Sequence, residues 1–349
     1  MEILACAHCG AALTGPVTRV RFPPYANHPV GNGHPMPVLM DAGTYAVDPE
    51  PSGGPWRPWA DLAEGEAEAR GYYAPVAGVR DGRVGRLLCA PGDATGTVLV
   101  PERADGTCCG ITGDNLSCAS CLRPVGGRDD GCSIWQAARF DPRAVRTVPA
   151  GPDRPPADWT ELVHDRSGPL PVSERGRWNE RCTQETTLAL AHLIAAADGH
   201  PVRIEHGHAT ALLGPELARR LGTATATGPA KRCALHGPDL PLVGPRPDLA
   251  LVPLHPQTGE VWPAPPGVRA VPLHVEVWRH LAFHDERPAV RAGRLLRAEL
   301  ARDDPQPLHR GYWLWVDHRL MRDVLARHPA VRRPGVRAVY DVLLRGYDH

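Results

Sequence analysis

Four cysteines in two pairs are the residues of this chain best suited to chemistry. Cys6 and Cys9, in "LACAHCGAALTG", stand two residues apart, and Cys118 and Cys121, in "SCASCLRPVGG", repeat the gap. A Cys-x2-Cys segment can close a tight turn whose backbone N–H groups point at the sulfurs and favour thiolate. Two such turns supply four thiolates in a tetrahedron, the coordination that Zn2+ takes in structural sites. Gly10, directly after the second sulfur, offers the backbone freedom such a turn often needs. Four thiolates close the coordination sphere, so the expected role of the zinc is structural.

The two pairs are far apart in the chain. Everything from Gly10 to Ser117 lies between them, where a compact zinc ribbon has about 15–20 residues. Closing the longer loop costs about 1.7 kcal/mol more, against roughly 10–16 kcal/mol for structural zinc binding in small peptides. The metal term is the larger, provided the intervening segment folds as an insert with its ends together. A competing set is local: Cys109, Cys118, Cys121 and Cys132 fall within the single stretch 109–132. Cys108 and Cys109 are adjacent and would not easily share one tetrahedron. Cys89, Cys182 and Cys233 sit in apolar or helical surroundings and read as core residues. The first part of the chain resembles the zinc-ribbon class, with "CAHCG" and "CASC" matching its knuckles at Cys6, Cys9, Cys118 and Cys121. It is also similar to uncharacterised proteins of GC-rich bacteria that open with such a knuckle. The resemblance implies a structural zinc and no particular activity.

Other constellations offer weaker chemistry. Asp248 opens "DLALVPL" and Glu276 lies in "VPLHVEVW", two stretches that read as strands. This arrangement is similar to the metal-dependent nuclease core, in which an Asp and a Glu on adjacent strands hold Mg2+. That core places a Lys two residues after the Glu, and this chain has Trp278 there. Glu276, His280 and His284 are spaced i, i+4, i+8 and would share one face of a helix, although Val275 and Val277 favour strand up to about residue 278. His206 and His208 would point to one side of a strand. Cys182 starts a helix, where a thiol can be acidified. Trp313 and Trp315 would share one side of a strand and offer a stacking surface. There is no Gly-rich phosphate loop and no Gly-x-Ser-x-Gly elbow.

The elements that must position these residues divide in two. A length of 349 residues suggests two domains. Eight of ten cysteines precede residue 133, and "PAGPDRPPAD" (149–158) reads as a boundary. The expected organisation is α+β: a β-rich, cysteine-containing, zinc-ribbon-like domain with a long insert over 1–148, then a mixed α/β domain over 159–349. In the first, strands are expected at 16–22, 43–47, 72–79, 83–90 and 96–101, with a short helix over 61–71. In the second, helices are expected at 182–200, 214–222, 287–304, 317–328 and 335–346, and strands at 201–207, 248–254 and 270–278.

Composition narrows the functions. Net charge is zero, with 13 basic and 16 acidic residues up to 150 and the reverse bias after it. A nucleic-acid binder usually carries a stronger basic excess, although the stretch 327–349 is locally basic. Lys231 is the sole lysine among 39 basic residues, so arginine is the default cation and a lone Arg says little about anion binding. The first residues lack the charged and apolar regions of a signal peptide, and no apolar run approaches a membrane span. A cytoplasmic setting is expected, in which closely paired cysteines mean metal more often than disulfide. The expected function is a binding or interaction protein with a four-cysteine Zn2+ site, its partner nucleic acid or protein. The alternative is a degenerate or active nuclease-like phosphodiesterase using Asp248 and Glu276.

Overall fold

The computed structural model describes residues 1–30, 33, 36–106, 110–152, 154–165, 171, 178–205, 207–221, 228–283 and 314–345. The architecture is α+β, with a β-rich N-terminal part and a C-terminal part that holds most of the helix. Two compact units form: residues 1–62 with 77–156, and residues 63–76 with 157–349.

In the first unit, β1 (Glu2–Cys6), β2 (Thr18–Arg19), β3 (Thr44–Val47), β4 (Trp56–Pro58), β5 (Gly78–Arg80), β6 (Leu87–Cys89) and β7 (Thr97–Leu99) are followed by β8 (Asp105–Gly106), β9 (Ile111–Thr112), β10 (Leu116–Cys118), β11 (Pro124–Asp129), β12 (Ala137–Phe140) and β13 (Val145–Pro149). One sheet runs β2-β3-β6-β12-β11-β10-β7. Its ladders are antiparallel except β2 with β3. Its middle strands β6, "LLC", and β12, "AARF", are buried throughout, and the one charged residue in them, Arg139, is paired with Asp129. β1 pairs antiparallel with β13 over its whole length, from Glu2↔Pro149 to Cys6↔Val145. Leu4, Cys6 and Val145 of this ribbon join Tyr45, Leu87, Leu116, Cys118, Val125 and Phe140 of the sheet in one apolar core.

That topology changes the reading of the chain between Cys9 and Cys118. It is no appendage between two halves of a ribbon: it supplies β2, β3, β6 and β7, four strands of the sheet. The strands are shorter than the apolar runs suggested because glycine- and proline-rich turns end each ladder early. The run 72–79 divides: Gly78–Arg80 forms β5, and residues 63–76 belong to the second unit, with α1 (Glu66–Ala69) at their start. There Tyr72 lies under the Arg327 guanidinium, 4.2 Å from its ring centroid, and Arg332 bonds Glu68 at 2.6 Å.

The rest of the second unit comprises α2 (Trp159–His164), α3 (Glu180–Ala197), β14 (Val202–Ile204), α4 (Gly207–Leu221), β15 (Lys231–Leu235), β16 (Leu249–Leu254), β17 (Arg269–His274), α5 (Val275–Ala282), α6 (His318–Ala326) and α7 (Pro334–Arg345). The strands pair in parallel, in chain order β14-β15-β16-β17. β16, "LALVPL", is buried at every position, as a covered parallel strand should be. α3 buries even its threonines, because Thr186 and Thr187 donate their hydroxyls to the Cys182 and Thr183 carbonyls four residues back. Asp198, at φ 58°, ends it.

Three expectations change here. The helix expected at 214–222 begins at Gly207 and contains Pro215. The strand expected at 270–278 ends at His274, whose ring accepts a hydrogen bond from the Glu276 N–H and caps α5. Residues 314–317 are not strand, and Trp315 is half exposed. The helix expected at 287–304 lies outside the described residues, as does Trp313.

Candidate metal centre

The two Cys-x2-Cys segments fold into the same turn, hydrogen bond for hydrogen bond. In the first, Cys6 ends β1, Cys6 N–H donates to Ala11 O at 2.8 Å, and Gly10 N–H returns to Cys6 O at 2.9 Å. In the second, Cys118 ends β10, Cys118 N–H donates to Arg123 O at 2.9 Å, and Leu122 N–H returns to Cys118 O at 2.9 Å. The residue after the second cysteine is left-handed in both: Gly10 has φ 77° and Leu122 has φ 55°. Both turns sit at a strand reversal, the first where Ala5 bridges Ala12, the second between β10 and β11.

One glycine ties them together. Gly96 donates its N–H to Leu13 O at 2.9 Å and accepts from Ala119 N–H at 3.0 Å, so it bonds the first turn's return strand and the second turn at once. The approach is so close that a Cβ at Gly96 would stand 2.0 Å from Ala12 O. Neither periodicity nor motif marks this residue in the sequence, because its role comes from a contact between distant backbones.

The result brings four sulfurs together. Cys6 Sγ lies 3.8 Å from Cys121 Sγ, and Cys9 Sγ lies 3.7 Å from Cys118 Sγ. All four ligand atoms fall within 4.8 Å of one another. A tetrahedron of Zn–S bonds about 2.3 Å long has edges of about 3.8 Å, so the spacing fits a metal ion of that size at the centre. Cys6 and Cys118 are buried, Cys121 is intermediate and Cys9 is exposed, which places the cluster at the surface with its back in the core.

Proton binding in the cluster shows the strain that a cation would relieve. Burial pushes the Cys118 thiol up, but the N–H groups of Cys121 and Ser120 and the thiols of Cys9 and Cys121 outweigh it and bring it down to about 7. At Cys121 the Arg123 N–H favours thiolate, yet burial and the crowded sulfurs of Cys9, Cys118 and Cys6 drive it up to about 12. A thiolate is favoured at Cys118 and resisted at Cys121, where the neighbouring sulfurs crowd it. A divalent cation removes that opposition.

The competing local set does not form. Cys118 and Cys121 are committed to Cys6 and Cys9, Cys132 is disulfide-bonded, and Cys108 and Cys109 lie outside the described residues. Cys89, Cys182 and Cys233 are buried free thiols.

The other candidate chemistries do not assemble. Asp248 sits beside Arg269 at the start of β17, where its carbonyl accepts from Arg269 N–H at 3.1 Å, whereas Glu276 follows the far end of the same strand. Parallel pairing therefore separates the two carboxylates by the strand's length, about 17 Å, and the nuclease arrangement fails. The Asp248 carboxylate instead accepts from Arg232 N–H at 2.8 Å. Glu276 belongs to the first turn of α5, 3.9 Å from Cys182 Sγ. Burial first, then the charges of Glu276 and Glu185, push the Cys182 thiol well above its ordinary value, the opposite of the acidified thiol that a helix start suggests. His208 lies in helix, not strand, and its ring meets that of His280 edge-on at 5.2 Å. His206 and His284 lie outside the described residues. Among the described residues the four cysteines are the one cluster of metal-ligating side chains, and no helix is long and apolar enough to cross a membrane.

No protein-family model, curated protein or solved structure matches the chain.

Proposed function

We propose that the chain is a binding or interaction protein whose first unit is held by one structural Zn2+ on Cys6, Cys9, Cys118 and Cys121. The observation that carries this reading is the pair of sulfur–sulfur distances, 3.7 and 3.8 Å, which are tetrahedral edges for a thiolate-bound zinc. Four protein ligands leave no coordination position for water or substrate, so this metal stabilises rather than catalyses. It fastens the first residues of the chain to the β10–β11 hairpin, which lies far along the sequence.

The partner is a macromolecule, nucleic acid or protein, in a cytoplasmic setting. Neutral overall charge argues against binding dominated by phosphate contacts. The test is fluorescence anisotropy of the zinc-loaded protein with labelled single- and double-stranded oligonucleotides at about 50 and 200 mM salt. A nucleic-acid partner gives an affinity that falls steeply between the two. Absence of binding at both removes nucleic acid and leaves a protein partner.

A further inference from the structure

We propose that a second site, a cavity of about 610 Å³ within the second unit, binds an aliphatic carboxylate of medium chain length. The inference is independent of the zinc reading.

Three elements wall the cavity. α3 supplies His192, β17 supplies Arg269, and His328 and Arg333 flank the short turn Pro329–Arg332. Every other lining residue is an alanine or a proline. These small apolar side chains offer no aromatic face to a ring and no hydroxyl or amide to a sugar, so they suit an aliphatic body.

α3 ends at this cavity, and cations cap it. Arg333 Nη2 donates to Ala195 O at 2.9 Å, and Arg269 Nη1 and Lys231 Nζ both donate to Ala196 O at 3.3 Å. Positive side chains are favoured at a helix C-terminus, which accounts for these contacts. Arg333 also pairs with the Asp198 carboxylate at 3.1 Å. Arg269 is left incomplete: among the described residues its Nε and Nη2 have no acceptor. Its strand neighbour Asp248 directs its carboxylate to Arg232 N–H, at 2.8 Å. One guanidinium edge is thus open, the Nε–Nη2 fork that a carboxylate fills with two parallel hydrogen bonds.

Position decides the sign of the field beside that edge. Burial first, then the charges of Arg333 and Arg269, hold the His328 ring below its ordinary pKa, and no carboxylate offsets them there. His328 Nδ1 accepts from Ala330 N–H at 3.0 Å, so the neutral ring carries its proton on Nε2. Among the described residues that N–H has no acceptor, and it supplies a further donor. The His192 ring stands 6.1 Å from it, centroid to centroid. With Arg232 and Glu205 cancelled as an ion pair, Arg269, Lys231 and Arg333 stand against Asp198 and Asp248. That is a surplus of one positive charge, and the partial charge of the helix end, about −0.5, does not reverse it. A carboxylate matches the surplus, whereas a phosphate dianion exceeds it.

The test uses the full chain with ring-13C-labelled histidine; His192→Asn and His328→Asn assign the two signals that report the cavity. The probes are hexanoate, acetate, 1-hexanol and n-hexyl phosphate. We expect hexanoate to shift both signals saturably. Acetate, which lacks the chain, and 1-hexanol, which lacks the charge, should each bind at least about tenfold more weakly. Arg269→Gln should weaken hexanoate by about tenfold. Arg269→Lys keeps the charge but has no fork, so it should weaken hexanoate too, and it decides the matter should Arg269→Gln fail to fold. Arg143→Gln, an exposed cation of the first unit, should change nothing. The proposal is overturned if hexanoate moves neither signal at millimolar concentration, if 1-hexanol or n-hexyl phosphate binds as tightly as hexanoate, or if the folded Arg269 variants bind as the parent does.

Discussion

Gly10 and Leu122 occupy the same place in two turns from distant parts of the chain, both with left-handed backbone, one as the residue suited to it and one at a cost. Leu122 is 66 % exposed, so its side chain gains little by burial to offset that conformation. A leucine in the left-handed region loses roughly 1–2 kcal/mol relative to the right-handed one. Leu122→Gly should therefore hold or raise stability, by up to about 1 kcal/mol once the greater freedom of glycine in the unfolded chain is counted. Gly10→Ala should lower it by about 1 kcal/mol. Urea midpoints of the metal-loaded protein decide it, and equal effects of the two substitutions would mean that the turns are not equivalent.

Gly96 is the backbone link between the turns, and its test has a built-in control. Gly96→Ala places a Cβ where Ala12 O already stands, 2.0 Å away, whereas Gly92 has nothing within 4 Å. Gly96→Ala should cost more than about 3 kcal/mol, from loss of two hydrogen bonds and forced separation of the turns, and should weaken metal retention against a chelator. Gly92→Ala should change neither. If the two variants melt and release metal alike, Gly96 does not join the turns.

Alkaline pH should unfold both units by way of buried thiols. Burial, then the nearby Asp93 charge, pushes Cys89 up to about 12. Burial likewise raises Cys233 to about 12, against the Leu251 N–H that lowers it and with the Glu205 charge that adds to the rise. Unfolded thiols titrate near about 8.5. The folded chain keeps protons that the unfolded chain loses, so this stabilisation is complete below about pH 8.5 and is lost as pH climbs toward 12. Urea midpoints should fall between about pH 8.5 and 10.5, and Cys89→Ala should blunt the fall in the first unit. A midpoint flat with pH would contradict the burial assigned to these sulfurs.

The nuclease arrangement has a direct check as well. Because β17 separates Asp248 from Glu276, Asp248→Asn and Glu276→Gln should leave any Mg2+-dependent phosphodiester cleavage by the protein unchanged. A loss of cleavage by more than about tenfold in both variants would require the two carboxylates to meet.

The cysteine pairs were legible because their chemistry does not depend on which element carries them: a two-residue gap sets the turn, and sulfur is scarce enough for the pairing to stand out. Gly96 was not, since its demand arises from a backbone approach that only the assembled sheet creates. The place of the long insert in the sheet was not legible for a related reason, as sequence distance between Cys9 and Cys118 does not say whether the chain between them is a bulge or the body of the domain. At β17 the β-branched Val275 and Val277 argued for strand. Trp278 and Leu281, buried with them in α5, and the His274 cap decided for helix. The run 72–79 shows the limit of local pattern most plainly, because its first residues pack with a unit whose other members begin at residue 157.

The central claim is that Cys6, Cys9, Cys118 and Cys121 hold one zinc ion. Inductively coupled plasma mass spectrometry on protein purified without a histidine tag measures it most directly, alongside Cys118→Ser as the variant that removes a ligand. The account predicts about one zinc per chain in the parent and a large loss in the variant. A parent with a zinc ratio near zero, or a variant that keeps its zinc, would contradict it.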